Sequence, residues 1–122
     1  MTDFGSPTLL HNPRCSKSRA AQALLDERNV AYEERRYLDR PLSVAELAVL
    51  RKRLGLPARD WVRAGEPEYH QAGLTSESGD EAILAAMARF PVLIERPILI
   101  LPDGAVVGRP PHRVLELLDG DL

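Results

Sequence analysis

The stretch His11-Asn12-Pro13-Arg14-Cys15-Ser16-Lys17-Ser18-Arg19 contains the single cysteine of this 122-residue chain. It follows a short apolar run that predicts a buried strand, and it leads into a helical pattern beginning near Ser16. At such a turn, unpaired backbone N–H groups and the positive end of the helix dipole favour an anion. They also lower the pKa of a thiol, whose thiolate is the nucleophilic form. The stretch therefore predicts a reactive cysteine on a small redox-type fold.

Basic side chains flank the cysteine. Arg14, Lys17 and Arg19 add positive charge, and His11 adds more when it is protonated. An isolated cysteine is most often a small buried hydrophobe. Here no apolar residue follows Cys15 within four positions, so we expect a reachable, reactive thiol.

Composition predicts one ordinary globular domain spanning residues 1–122, with 44% hydrophobic and 28% charged residues. The net charge of −2 argues against general nucleic-acid or membrane binding. No apolar run approaches the length of a membrane span, and no export signal is visible. One cysteine excludes an internal disulfide, so a redox cycle through it must recruit a thiol from another molecule. A cytoplasmic location, with its small thiols and reductases, fits that need.

The first third of the chain predicts a βαβ unit. Strands are expected at 8–11 and 31–37, with a helix over about 16–28 between them that Asn29 caps. On this helix Ala20, Leu24 and Leu25 are expected to share a buried face. Such a crossover joins parallel strands.

A helical insert follows. A capping box at 43–46 begins a helix that ends at Gly55, and helical turns are expected near 59–63 and 66–72. A second capping box at 78–81 predicts another helix, which Pro91 closes.

The last third predicts a hairpin and a final helix. Strands at 97–101 and 105–108 are separated by Pro102-Asp103-Gly104, a strong turn signal. The order βαβ, helical insert, ββα is that of a thioredoxin-like α/β fold, with a mixed four-stranded sheet and helices on its faces.

Two familiar thiol chemistries do not fit the motif. A thioredoxin-type pair requires cysteine at position 18, which is Ser18. A cysteine-phosphatase loop requires arginine at position 21, which is Ala21. Cys15 is therefore expected to attack alone, without a resolving thiol beside it.

Three later arginines are candidates for oxyanion binding: Arg63, Arg96 and Arg109. The guanidinium fork binds tetrahedral oxyanions through paired hydrogen bonds and keeps its charge. Arg96 and Arg109 each precede a proline at a strand boundary. In a thioredoxin-type fold the loop before the third strand faces the reactive cysteine and its proline is usually cis, which predicts Arg96 at the thiol.

Several ordered motifs together resemble the glutaredoxin-coupled arsenate reductases, the ArsC family. They are His-Asn-Pro-x-Cys-x-x-Ser-Arg at 11–19, Arg63 followed by Glu66-Pro67 and Tyr69, Gly73-Leu74, Pro-x-Leu-Ile-x-Arg-Pro at 91–97, and Gly108-Arg109-Pro110. The resemblance covers about residues 8–118. It departs from the family pattern at Arg14, at Ser16-Lys17 and in the short C-terminal end.

The resemblance implies roles for these residues. Cys15 is the nucleophile, His11 helps to activate it, and Ser18 and Arg19 lie near the anion. Arg63, Arg96 and Arg109 contact the oxyanion. Arsenate is the implied substrate, glutathione the co-substrate and glutaredoxin the protein that resolves the adduct, within arsenic resistance or a housekeeping role.

The site is expected to hold no metal or bound cofactor, because three scattered histidines and one cysteine offer no ligand spacing. His70 and His112 are expected at the surface. Two alternatives stay open: an ArsC-like reductase of another substrate, and a non-catalytic regulatory module in which Cys15 senses redox state.

Overall fold

The computed structural model describes residue 4 and residues 7–119. The helices and strands, in chain order, are β1 Thr8–Leu10, α1 Ser16–Glu27, β2 Glu33–Arg35, α2 Val44–Leu54, α3 Pro67–Gln71, α4 Asp80–Arg89, β3 Ile98–Leu101, β4 Gly104–Val107 and α5 Arg113–Asp119. Two short 3₁₀ helices, Ala58–Asp60 and Pro91–Leu93, complete the insert between β2 and β3. The predicted order of elements is confirmed.

The four strands form one mixed sheet in the order β2-β1-β3-β4. β1 pairs parallel with β2 and antiparallel with β3, and β3 pairs antiparallel with β4. The predicted thioredoxin-like fold is therefore confirmed. β1 lies inside the sheet, which explains why Thr8, Leu9 and Leu10 are all buried, whereas β2 lies at the edge and can carry charged residues. The cysteine loop leaves the end of this inner strand.

Hydrophobic clusters cover both faces of the sheet. Leu10 and Ile98 belong to the larger cluster, which includes α2, α4 and the fully buried Trp61. Leu9 and Leu99 belong to the smaller cluster, which α1 and α5 cover. The strand alternation therefore directs successive side chains to opposite layers, and the layers hold the ends of β1 and β3 side by side.

The predicted helix ends are partly correct. Ser43 begins α2 with the expected capping box, and Gly55 ends it in the left-handed conformation at φ 68°. At the end of α1, Arg28 is the C-cap and Asn29 follows at φ 55°. The second capping box is wrong: Gly79 is the N-cap of α4, because the Ser78 hydroxyl accepts a hydrogen bond from the Thr75 N–H instead.

The predicted buried face of α1 is also wrong in part. Ser18, Ala21 and Leu25 are buried, whereas Ala20 is exposed. The helix is therefore rotated so that Ser18 points beneath the cysteine loop.

Three segments are shorter than predicted. β2 occupies only three residues of the expected 31–37 strand, and β1 ends at Leu10. The turn expected at 59–63 ends at Asp60, because Val62 forms a bridge with Ile94 and is held extended. The backbone that follows Asp60 therefore pairs with the loop before β3.

The sequence predicts a loose polar lead-in over residues 1–6, most of which lie outside the described residues. Phe4, which is described, is buried in the larger cluster. Among the helices of the described part of the chain, none is both long enough and apolar enough to cross a bilayer.

Candidate active site

Cys15 is the N-cap residue of α1, at the end of the loop that leaves β1. Its backbone is extended, with φ −95° and ψ 123°, and its N–H donates to the Asn12 carbonyl at 3.0 Å. The side chain is partly exposed and forms no capping hydrogen bond. The helix N-terminus therefore keeps donors near the sulfur, where a thiolate or a bound anion can use them.

The surroundings of Cys15 lower the pKa of its thiol below the ordinary value. Burial raises the pKa, but the backbone N–H groups of Ser18 and Lys17 and the Arg96 guanidinium together outweigh it. Each favours the charged form of the sulfur. The predicted activation by the helix terminus is therefore accompanied by a cation from a distant part of the sequence.

His11 and Ser18 form a buried hydrogen bond beneath the loop. The His11 Nδ1 lies 2.7 Å from the Ser18 Oγ, and the same hydroxyl accepts from the Asn12 N–H at 3.0 Å. Burial lowers the pKa of His11, with smaller opposing and reinforcing effects of nearby charges, so this histidine is held neutral rather than cationic. His11 and Ser18 thus tie β1 to the first turn of α1.

Arg96 is brought to the thiol by the loop before β3. The Arg96–Pro97 peptide bond is cis, as predicted, and the guanidinium lies close enough to the sulfur to lower its pKa. Within the described residues, Arg96 Nε and Nη1 are buried and have no hydrogen-bond partner. Buried donors without a partner are costly and rare. They are therefore suited to an anionic ligand beside the sulfur.

Arg63 reaches the same loop through backbone pairing. Its N–H donates to the Leu93 carbonyl at 2.7 Å, and the Glu95 N–H donates to the Trp61 carbonyl at 3.0 Å. Its guanidinium Nη1 lies 3.4 Å from Glu66 at the start of α3. The antiparallel contact therefore sets Arg63 beside the segment that carries Arg96.

Arg109 reaches the site from the end of β4. The Gly108 N–H donates to the Pro97 carbonyl at 2.8 Å, and the Arg109 Nε donates to the Arg96 carbonyl at 2.8 Å. A Cβ on Gly108 would lie 2.9 Å from Pro97 Cγ and 3.0 Å from Val114 Cγ1. Only glycine allows this approach without a shift, so Gly108 sets the distance between the two arginine segments.

Two residues of this cluster were given no role by the sequence. Tyr37 is almost fully buried, and burial raises the pKa of its phenol to about 12, while the charges of Arg96, Arg63, Cys15 and Glu95 also act on it. In the sequence, Tyr37 could have been singled out only as the aromatic residue that ends the charged run 33–36. Glu95 was signalled only by its position before an Arg-Pro pair.

The other predicted cations near Cys15 are exposed. Arg19 is exposed and donates from Nη1 to the Pro13 carbonyl at 3.0 Å, so it braces the loop. Arg14 and Lys17 are exposed, and the largest side-chain effect on the pKa of Cys15 comes from Arg96. His70 and His112 are exposed, as predicted.

An open cleft of about 350 Å³ lies beside the cysteine loop. Its lining consists of His11, Asn12, Pro13, Arg14, Arg36, Leu38 and Asp39. Among the residues that the structure describes, no group of three or more His, Cys, Asp or Glu side chains is arranged to hold a metal ion. The chemistry available here is that of a nucleophilic sulfur beside unpaired guanidinium donors.

Three comparisons bear on this geometry. The sequence profile of the ArsC family matches residues 10–117. The arsenate reductase of Neisseria meningitidis serogroup A is 44% identical over 112 residues, which cover 90% of this chain and 96% of that protein. The arsenate reductase of Haemophilus influenzae is 38% identical over 115 residues, which cover 93% and 99%. The solved structure of the arsenate reductase from Vibrio cholerae has a TM-score of 0.85 at 43% identity, covering 93% of this chain and 98% of that one.

Proposed function

This chain belongs to the ArsC family, and from that premise we propose that it is an arsenate reductase in which Cys15 is the nucleophile. The observation that carries the proposal is the meeting of an activated thiol with the unpartnered Nε and Nη1 donors of Arg96. A sulfur nucleophile and a cationic oxyanion site are the two parts that reduction of a tetrahedral oxyanion by thiols requires.

In the first step the Cys15 thiolate attacks As(V). A sulfur–arsenic bond forms and an arsenic–oxygen bond breaks, with the oxygen leaving as water after it takes up protons. Arg96, together with Arg63 and Arg109, stabilises the charge on the remaining oxygens. Loss of one such donor typically costs about 3–4 kcal/mol in the transition state.

In the second step glutathione enters as the second thiol. A sulfur–sulfur bond joins its cysteine to Cys15, and the electron pair of the broken sulfur–arsenic bond reduces As(V) to As(III), which leaves as arsenite. Glutaredoxin then reduces the mixed disulfide. A thiol from another molecule is needed because the chain has no second cysteine.

The cleft beside the loop supports entry of that second thiol. It is open, and its lining includes Arg14, the residue before Cys15, and Asp39. Glutathione carries two carboxylates and one ammonium group, so the cation of Arg14 and the carboxylate of Asp39 offer charges opposite to those of the ligand. His11, held neutral and hydrogen-bonded, is proposed to orient the loop and assist proton movement at the thiol.

The test is a coupled assay with arsenate, glutathione, glutaredoxin, glutathione reductase and NADPH. NADPH loss should depend on arsenate and on glutaredoxin, and Cys15→Ser should abolish it. NADPH consumption that does not depend on arsenate would favour a reductase of another substrate. No turnover at all, with an intact fold, would favour the regulatory module.

A further inference from the structure

Glu95 lies among the three arginines, and one of its carboxylate oxygens contacts Arg63, Arg96 and Arg109. Its Oε1 is 3.1 Å from Arg109 Nε and 3.9 Å from Arg63 Nε. The same oxygen accepts a hydrogen bond from the Arg96 N–H at 3.3 Å. The side chain is about one-quarter exposed, so its carboxylate can still meet a ligand.

The contacts leave the arginines able to bind an anion. The shortest contacts of Glu95 with Arg63 and Arg109 are at Nε, the nitrogen nearest the chain. Among the described residues, Arg96 Nε and Nη1 have no partner. An oxyanion held by these guanidinium groups would therefore lie beside a carboxylate as well.

A carboxylate beside an anion site discriminates by protonation. It repels an oxyanion that has no proton, but it accepts a hydrogen bond from an oxyanion that still has one. Arsenate and phosphate each keep at least one proton at neutral pH, whereas sulfate keeps none. A site built to pair with a ligand O–H rejects the analogue that lacks it much more strongly than apolar contacts could.

We propose that Glu95 is a specificity-determining residue that accepts a hydrogen bond from a protonated tetrahedral oxyanion and so excludes sulfate. The inference rests on the proposed function for the location of the anion. It goes beyond that function, because the arginines alone would attract sulfate as readily as arsenate.

Glu66 provides a matched control. Its shortest contact with Arg63 is 3.4 Å, to Nη1, and its side chain is exposed to nearly the same extent as that of Glu95. Glu66→Gln changes the net charge near the arginines by the same amount as Glu95→Gln. Because Glu66 does not bridge the arginines, its removal should affect phosphate and sulfate alike.

The experiment measures protection of Cys15 from iodoacetamide at pH 7 and constant ionic strength. Inorganic phosphate is the protonated probe, since it does not react with the thiol, and sulfate is the unprotonated one. Native protein should be protected by phosphate at a concentration at least tenfold lower than by sulfate. Glu95→Gln should improve sulfate protection so that the two anions differ by less than about threefold, while Glu66→Gln keeps the native ratio.

Several results would overturn the proposal: equal protection of the native protein by both anions, protection by neither, or an unchanged ratio in Glu95→Gln. The phosphate-to-sulfate ratio of the native protein tests the proposal by itself, even if Glu95→Gln fails to fold. Glu95→Asp, which keeps a carboxylate, should retain a preference for phosphate. Turnover of arsenate without a preference for phosphate over sulfate would contradict this inference alone. A preference for phosphate without turnover of arsenate would contradict the proposed function alone.

Discussion

Ser18 Oγ and His11 Nδ1 are 2.7 Å apart in the buried layer beneath Cys15. This bond crosses from the end of β1 to the first turn of α1, and the same hydroxyl accepts from the Asn12 N–H. It fixes the loop that carries the nucleophile from below, while Arg96 approaches the sulfur from a separate segment.

Ser18→Ala should lower the free energy of unfolding by about 1–3 kcal/mol, because it leaves the buried His11 Nδ1 and Asn12 N–H without their partner. Urea unfolding followed by the fluorescence of Trp61, the single and fully buried tryptophan, measures this. Ser76→Ala, at an exposed turn, is the control and should change stability little. Equal effects of the two variants would contradict the assigned role of Ser18.

Arg96→Ala should raise the pKa of the Cys15 thiol, because it removes the main cationic side chain that lowers it. The rate of alkylation by iodoacetamide, measured against pH, reports the thiolate fraction. Its midpoint should lie below the ordinary thiol value in native protein and should move upward in the variant. Arg59→Ala, an exposed arginine, should leave the midpoint in place.

The same Arg96→Ala variant should lose about 100- to 1,000-fold in kcat/KM for arsenate, in line with removal of one oxyanion donor. Arg96→Lys keeps the charge but not the planar fork, so we expect it to recover only part of the activity. An unchanged rate in Arg96→Ala would exclude the oxyanion role of this residue.

His11 should make stability fall in mild acid. Burial lowers the pKa of its folded form below the ordinary value of 6.5, so the unfolded chain binds the proton more readily. This contribution is present in full above pH 6.5 and is lost as the pH falls below that value toward the folded pKa. Unfolding free energies measured from pH 7.5 to pH 5 should show a smaller decline in His11→Asn than in native protein.

Gly108→Ala should destabilise the fold by about 1–3 kcal/mol through overpacking against Pro97 and Val114. It should also weaken oxyanion binding, since Arg109 follows directly and donates to the Arg96 carbonyl. Gly65→Ala, which adds a Cβ into open space, is the matched control. If Gly108→Ala kept the unfolding free energy and the arsenate KM of the native protein, the close approach of Gly108 to Pro97 would be unimportant.

The local pattern of the sequence was sufficient for much of this protein. The apolar run before the loop, the capping box at Ser43 and the turn at Pro102-Asp103-Gly104 predicted the elements, because each depends on neighbouring residues. The strand-to-helix turn likewise predicted Cys15 at a helix N-terminus, where backbone N–H groups lower the pKa of a thiol. The motif also set Ser18, rather than a second cysteine, one turn further on.

Only the tertiary structure decided what faces the sulfur and what faces the arginines. The predicted fold set Arg96 at the thiol, but the sequence could not show that Arg96, rather than Arg14 or Lys17 nearby, has the largest side-chain effect on the pKa of Cys15, because a local pattern does not fix where a side chain points. The cross-strand contact of Val62 with Ile94 and the approach of Gly108 to Pro97 bring Arg63, Arg96 and Arg109 together. The same packing sets Glu95 against them, an arrangement that depends on long-range backbone pairing and that local periodicity cannot encode.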